Sequence, residues 1–152
     1  MKKRITILQA TVLIIFSFLQ HVHAEDAIYT GYFSNKAVSG YDVVSYFTEQ
    51  KSVKGSSQYQ FEYQGADWYF SSQEHLTLFK NNPEKYAPQY GGYCAWAMAE
   101  DQIAPGKAPY WTVYKNKLYL NYDQEVLDTW IADKDNFIKQ ADLNWAKIDK
   151  EL

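Results

Sequence analysis

The middle of the chain alternates between apolar and polar positions with a period of two. Tyr59, Phe61 and Tyr63 interleave with Gln58, Gln60 and Glu62, the pattern of a strand with one buried face. Gln64-Gly65-Ala66-Asp67 turns the chain into Trp68-Tyr69-Phe70, so a β-hairpin is predicted there. Trp111 and Val113, then Leu118 and Leu120, alternate around Lys115-Asn116 and predict a second hairpin. Toward the C-terminal end the spacing becomes helical. Val126, Leu127, Trp130 and Ile131 form one apolar stripe, and Phe137, Ile138, Ala141, Trp145 and Ile148 form another. These are two amphipathic helices, split near Ala132-Asp133-Lys134.

Shorter elements fill the gaps. Gly40 to Phe47 reads as a short helix opening at Asp42, whose carboxylate suits an N-cap. Lys51 to Ser57 is polar and reads as a loop. Ser71 lies three residues before Glu74, a capping-box spacing, and Ser72 is an equally good cap. The helix they open carries Leu76 and Phe79 on one face, with His75 beside them, and stops at Asn81-Asn82-Pro83. After Gly91-Gly92, Tyr93 to Glu100 reads as a short Ala-rich helix, and Asp101 to Pro109 as a loop. The predicted fold class is α+β, with two hairpins, several short helices and C-terminal amphipathic helices. The aromatic residues of the first hairpin are expected to pack against Phe79 and Tyr86.

The N-terminal residues form a different kind of segment. Lys2, Lys3 and Arg4 precede an apolar stretch from Ile5 to Leu19, and Val22-His23-Ala24 offers small residues before Glu25. This is the pattern of an export signal over residues 1–24, cleaved to leave 25–152 as a single domain. The apolar run is shorter than the ~20 residues a bilayer span needs, so no stable membrane insertion is expected after cleavage. The expected location is the periplasm.

Export changes the charge picture. The chain has 15 Lys and Arg against 18 Asp and Glu. Removing Lys2, Lys3 and Arg4 leaves 12 against 18, a net charge of −6. Without a Lys/Arg cluster, such a domain has no electrostatic footprint for nucleic acid or an anionic membrane. Aromatic residues make up 18% of the chain, enough to build a core without cross-links. That matters because the single cysteine, Cys94, cannot form an internal disulfide in an oxidising compartment.

Few residues remain for chemistry: one His (His75), one Cys (Cys94) and one Met (Met98) follow the signal. There is no Gly-x-Ser-x-Gly elbow and no phosphate-cradling Gly-rich loop, and no carboxylate pair stands out. Cys94 falls where the Ala-rich helix is predicted to begin. Backbone N–H groups and the helix dipole there favour the thiolate, whereas burial among Tyr90, Tyr93 and Trp96 opposes it. Met98 is one turn further on, so a thiolate and a thioether can share a helix face, and an imidazole would complete a three-ligand set for Cu(I). The plainer reading makes Cys94 and Met98 core positions and His75 a packed or surface histidine.

The stretch from Tyr63 to Ser72, with Phe79 and Asn82-Pro83-Glu84-Lys85-Tyr86, resembles the YHS domain. Gly40 to Phe47 looks like the start of that domain. Ala87 to Ala95, with Gln89-Tyr90-Gly91-Gly92-Tyr93-Cys94, resembles its exported bacterial branch, some of whose members are selenoproteins. The resemblance spans roughly residues 36 to 122, leaving residues 123–149 to the C-terminal helices. It implies a heavy-metal module of the kind found with copper transporters and metal-responsive proteins. In the metal-binding versions, cysteines occupy the positions of Ser45, Ser71 and His75, and a proline usually stands where Val43 is. Selenocysteine at the Cys94 position of relatives would make this thiol the active group.

Three functions are open on this reading. The first is a soft-metal module, for copper, using Cys94, His75 and Met98. The second is a single-cysteine thiol redox protein without metal, whose sulfenic acid needs an external thiol. The third is a non-catalytic domain whose aromatic surface meets a periplasmic protein partner.

Overall fold

A computed structural model describes residues 27–148. The export signal expected over residues 1–24 lies outside the described residues. The architecture is α+β. Six helices and two antiparallel hairpins are present among the described residues.

The first hairpin pairs β1 (Ser56–Tyr63) with β2 (Ala66–Phe70), bringing Phe61 opposite Trp68 and Tyr63 opposite Ala66. Gln64 and Gly65 both adopt positive φ, at 49° and 73°. Two left-handed residues make the tight two-residue turn that matches strand twist. β2 therefore starts at Ala66, earlier than the sequence pattern places it. β1 also starts earlier, at Ser56, because an irregularity between Ser56 and Gln60 lets polar residues continue the pairing.

The second hairpin pairs β3 (Lys107–Tyr114) with β4 (Lys117–Asn121), with Val113 opposite Leu118 and Trp111 opposite Leu120. β4 is buried on both faces, and its period of two sorts its side chains between two cores. Leu118 and Leu120 join the core of Val43, Val44, Tyr46, Trp68, Phe70 and Phe79. Tyr119 points the other way, into the core of Tyr90, Met98, Trp130 and Ala141.

α1 (Ser45–Thr48) precedes the first hairpin, and α2 (Gln73–Asn81) and α3 (Pro83–Tyr86) follow it. Phe79 of α2 is fully buried, and its ring meets those of Phe61, Tyr63, Trp68 and Phe70 at centroid distances of 4.8–6.4 Å. Tyr86 turns instead to Phe47, ring edge to face at 5.4 Å.

α4 (Ala95–Ala99) is shorter than the predicted 93–100 helix. Tyr90, Gly91 and Gly92 all have positive φ, and Tyr93 and Cys94 are extended. The Cys94 N–H is bonded to the Ala104 carbonyl at 2.8 Å, which holds it out of the helix. α5 (Gln124–Ala132) is capped by Asp123 through the Val126 N–H, and α6 (Lys134–Ile148) packs Phe137, Ile138, Ala141 and Trp145 on the second core. The split between them falls where the sequence pattern breaks. Among the described residues, no helix is long and apolar enough to cross a membrane.

Candidate functional site

Asp42 is the most heavily bonded side chain of the first half. It is fully buried, an expensive place for a carboxylate unless its oxygens are satisfied. Oδ1 accepts the Val44 N–H at 2.9 Å, which shapes the entry to α1. Oδ2 accepts the Ser71 N–H at 2.8 Å, the Ser71 hydroxyl at 2.6 Å and His75 Nδ1 at 2.6 Å. The sequence predicts Asp42 as a helix cap. Its role is larger: it ties the chain before α1 to the start of α2, 29 and 33 residues away.

The cap of α2 is Ser72, which accepts the His75 N–H at 3.1 Å. The Ser71 hydroxyl is drawn to Asp42 instead, because a charged acceptor makes the stronger bond. Ser71 and His75, four residues apart, thus reach one carboxylate. The carboxylate fixes the Nδ1–H tautomer of His75, assigned here from its hydrogen bonds. Nε2 then faces Thr48 Oγ1 at 3.2 Å, with Glu49 Oε1 at 3.9 Å. Ser45 Oγ lies 2.7 Å from the Asp42 carbonyl oxygen and 2.8 Å from that of Lys51, which compete for its one proton.

Cys94 lies elsewhere. It is 1% exposed and sits at the N-cap of α4 rather than in its first turn. Its thiol donates to Asn121 Oδ1 at 3.6 Å, and the same oxygen accepts the Trp96 N–H at 3.2 Å. Asn121 Nδ2 is buried without a hydrogen-bond partner. Met98, also 1% exposed, follows Cys94 by one turn and donates its N–H to the Cys94 carbonyl at 3.0 Å. Met98 is thus joined to Cys94 through the main chain, four residues on. The structure leaves His75 in another neighbourhood, bonded to Asp42, Ser71 and Thr48.

Burial pushes the Cys94 thiol up, more strongly than the main chain of Ala97, Tyr122 and Trp96 pulls it down. The stabilisation this thiol contributes is complete below the ~8.5 of a free thiol and is lost as pH rises from there through the raised folded value. Alkylation of Cys94 in the folded protein is expected to be slow, with a midpoint above that of a free thiol, and to become fast on unfolding. Rapid native labelling with a lower midpoint would show an exposed, activated thiol.

Residues 44–90 match the family model of the YHS domain. This segment is a YHS domain. It runs from the residue before α1 to the turn that follows α3, so it contains Ser45, Ser71 and His75 and ends before Cys94 and Met98. No curated protein and no solved structure matches the chain at a significant level.

YHS domains are associated with metal binding, copper in particular. The three positions at which the resemblance implies cysteine ligands do converge here, around Asp42. Their donor set does not fit a soft cation. Two are hydroxyls already engaged with Asp42, and the imidazole has committed Nδ1 to the same carboxylate. Among the described residues, no group of three or more His, Cys, Asp and Glu is arranged to hold a metal ion.

Sequence reasoning passed over two residues, Asp42 as a centre and Asn121 as the partner of Cys94. Asp42 carried a usable signal: a carboxylate immediately before Val43-Val44 must be buried with them and so must find donors. Asn121 carried a weaker one, as the polar continuation of the Leu118-Tyr119-Leu120 strand.

Proposed function

We propose that this chain is an exported YHS protein that takes up a soft cation, Cu(I) by class, through sulfur rather than through the Ser45, Ser71 and His75 positions. The observation that carries this reading is the placement of Cys94 at the N-cap of α4 and of Met98 four residues on within that helix, both nearly fully buried. They hold the only sulfurs after Met1. Thiolate and thioether are the ligand types that select Cu(I), and a dry site suits a cation that sheds its water readily. The Asp42 centre fits a structural part in the same reading: its hydrogen bonds fasten α1 to α2 where other members would use metal ligands. Binding through Cys94 must release the thiol proton, so uptake strengthens as pH rises.

The test is Cu(I) titration of the folded protein against a chromophoric chelator. The wild type is expected to take one equivalent. Cys94→Ser should weaken uptake by more than the roughly 10–100-fold that loss of an outer-shell partner costs. Met98→Leu should weaken it less, and His75→Gln should leave it unchanged. Absence of uptake, or its loss in His75→Gln alone, overturns the reading.

A further inference from the structure

We propose that the cleft between the first hairpin turn and α6 binds a small organic cation of the quaternary-ammonium class. The cleft measures about 540 Å³, inside the ~300–1,000 Å³ typical of small-molecule sites. It opens at the seam of the two cores. Tyr63 comes from the hairpin beside the first core, and Tyr90 and Trp145 come from the second. Glu84 of α3, Asp142 of α6 and Lys117 of β4 supply its charged groups.

Its parts are fixed in place. Tyr90 holds a left-handed backbone, φ 56° and ψ 38°, unusual for a bulky residue and a form of strain that collects at functional sites. That backbone seats the Tyr90 ring edge-on to Trp145 at 6.2 Å and lets its hydroxyl donate to Asp142 Oδ1 at 2.8 Å. Burial holds the Tyr90 phenol far above its usual range, so it stays a neutral donor. The neighbouring Gly91 allows close approach from the other side, since a Cβ there would lie 2.0 Å from the Ala27 carbonyl oxygen.

The cleft thus brings three aromatic residues, Tyr63, Tyr90 and Trp145, together with two carboxylates against one amine. Aromatic faces attract a cation through their quadrupole, and an alkylated ammonium sheds water more easily than a metal ion does. The net −6 of residues 25–152 adds long-range attraction of the same sign. Lys117 is the one opposing charge, which makes it the sharpest control.

Choline is the probe, measured by calorimetry on the folded protein, with glucose and inorganic phosphate as competing classes. Saturable choline binding is expected, weakened up to about fivefold by Glu84→Gln and strengthened by a similar factor in Lys117→Gln, the scale of one exposed charge pair. Asp142→Asn should weaken binding at least as much as Glu84→Gln. Failure of choline to bind the folded wild type, equal affinity in Glu84→Gln and Lys117→Gln, or preferential binding of glucose or phosphate overturns the proposal.

Discussion

Asp42→Ala is expected to destabilise the protein by about 3–5 kcal/mol, because several buried donors lose their one acceptor together. The substitution deletes the acceptor of four hydrogen bonds at once: those of the Val44 N–H, the Ser71 N–H, the Ser71 hydroxyl and His75 Nδ1. Each donor is then left with little access to water, and an unsatisfied buried group costs about 1–3 kcal/mol. Against a total stability of ~5–15 kcal/mol, that is a large share. Asp42→Asn separates shape from charge. It retains an oxygen for Val44 but turns an amide donor toward Ser71 and His75, so it should fall between the wild type and alanine. Urea denaturation of the three proteins is the measurement. An unchanged midpoint for Asp42→Ala would mean that the Asp42 centre does not hold α1 to α2.

Phe79→Ala should cost a similar ~3–5 kcal/mol for a different reason, the cavity left by a fully buried ring. Four aromatic rings close on Phe79, from Phe61, Tyr63, Trp68 and Phe70, and the nearest centroid is Trp68 at 4.8 Å. Rings on strands and a helix cannot all collapse into the space. The melting temperature is expected to drop by roughly 10 °C or more. Phe61→Ala, on the half-buried face of β1, should cost clearly less. Equal losses at the two positions would place the centre of the first core elsewhere.

The local pattern carried much of this architecture. Alternation at Tyr59, Phe61 and Tyr63, and again at Leu118 and Leu120, reports burial on one strand face, and both hairpins follow from it. The stripes from Val126 to Ile148 report the two C-terminal helices in the same way. Ile131 departs from its stripe and is exposed, because the buried side of α5 is centred on Leu127 and Trp130.

The site was less legible because its determinants are distant in sequence or set by backbone geometry. Asp42 meets Ser71 and His75 only once the hairpin has folded back, and no local period records that closure. The start of α4 depends on the left-handed run from Tyr90 to Gly92 and on the Ala104 carbonyl, so a first-turn thiol became a capping one. Cys94, His75 and Met98 could be singled out by counting, since so few such residues follow position 24. Counting could not show that His75 belongs to Asp42 and that Cys94 belongs to Asn121.

Soft-cation uptake through the sulfurs of Cys94 and Met98 is open to direct measurement by X-ray absorption at the copper edge of the Cu(I)-loaded protein. A first shell of sulfur scatterers without the outer-shell signature of imidazole is expected, the same in wild type and His75→Gln. An imidazole signature that disappears in His75→Gln, or a protein that retains no copper, would contradict it.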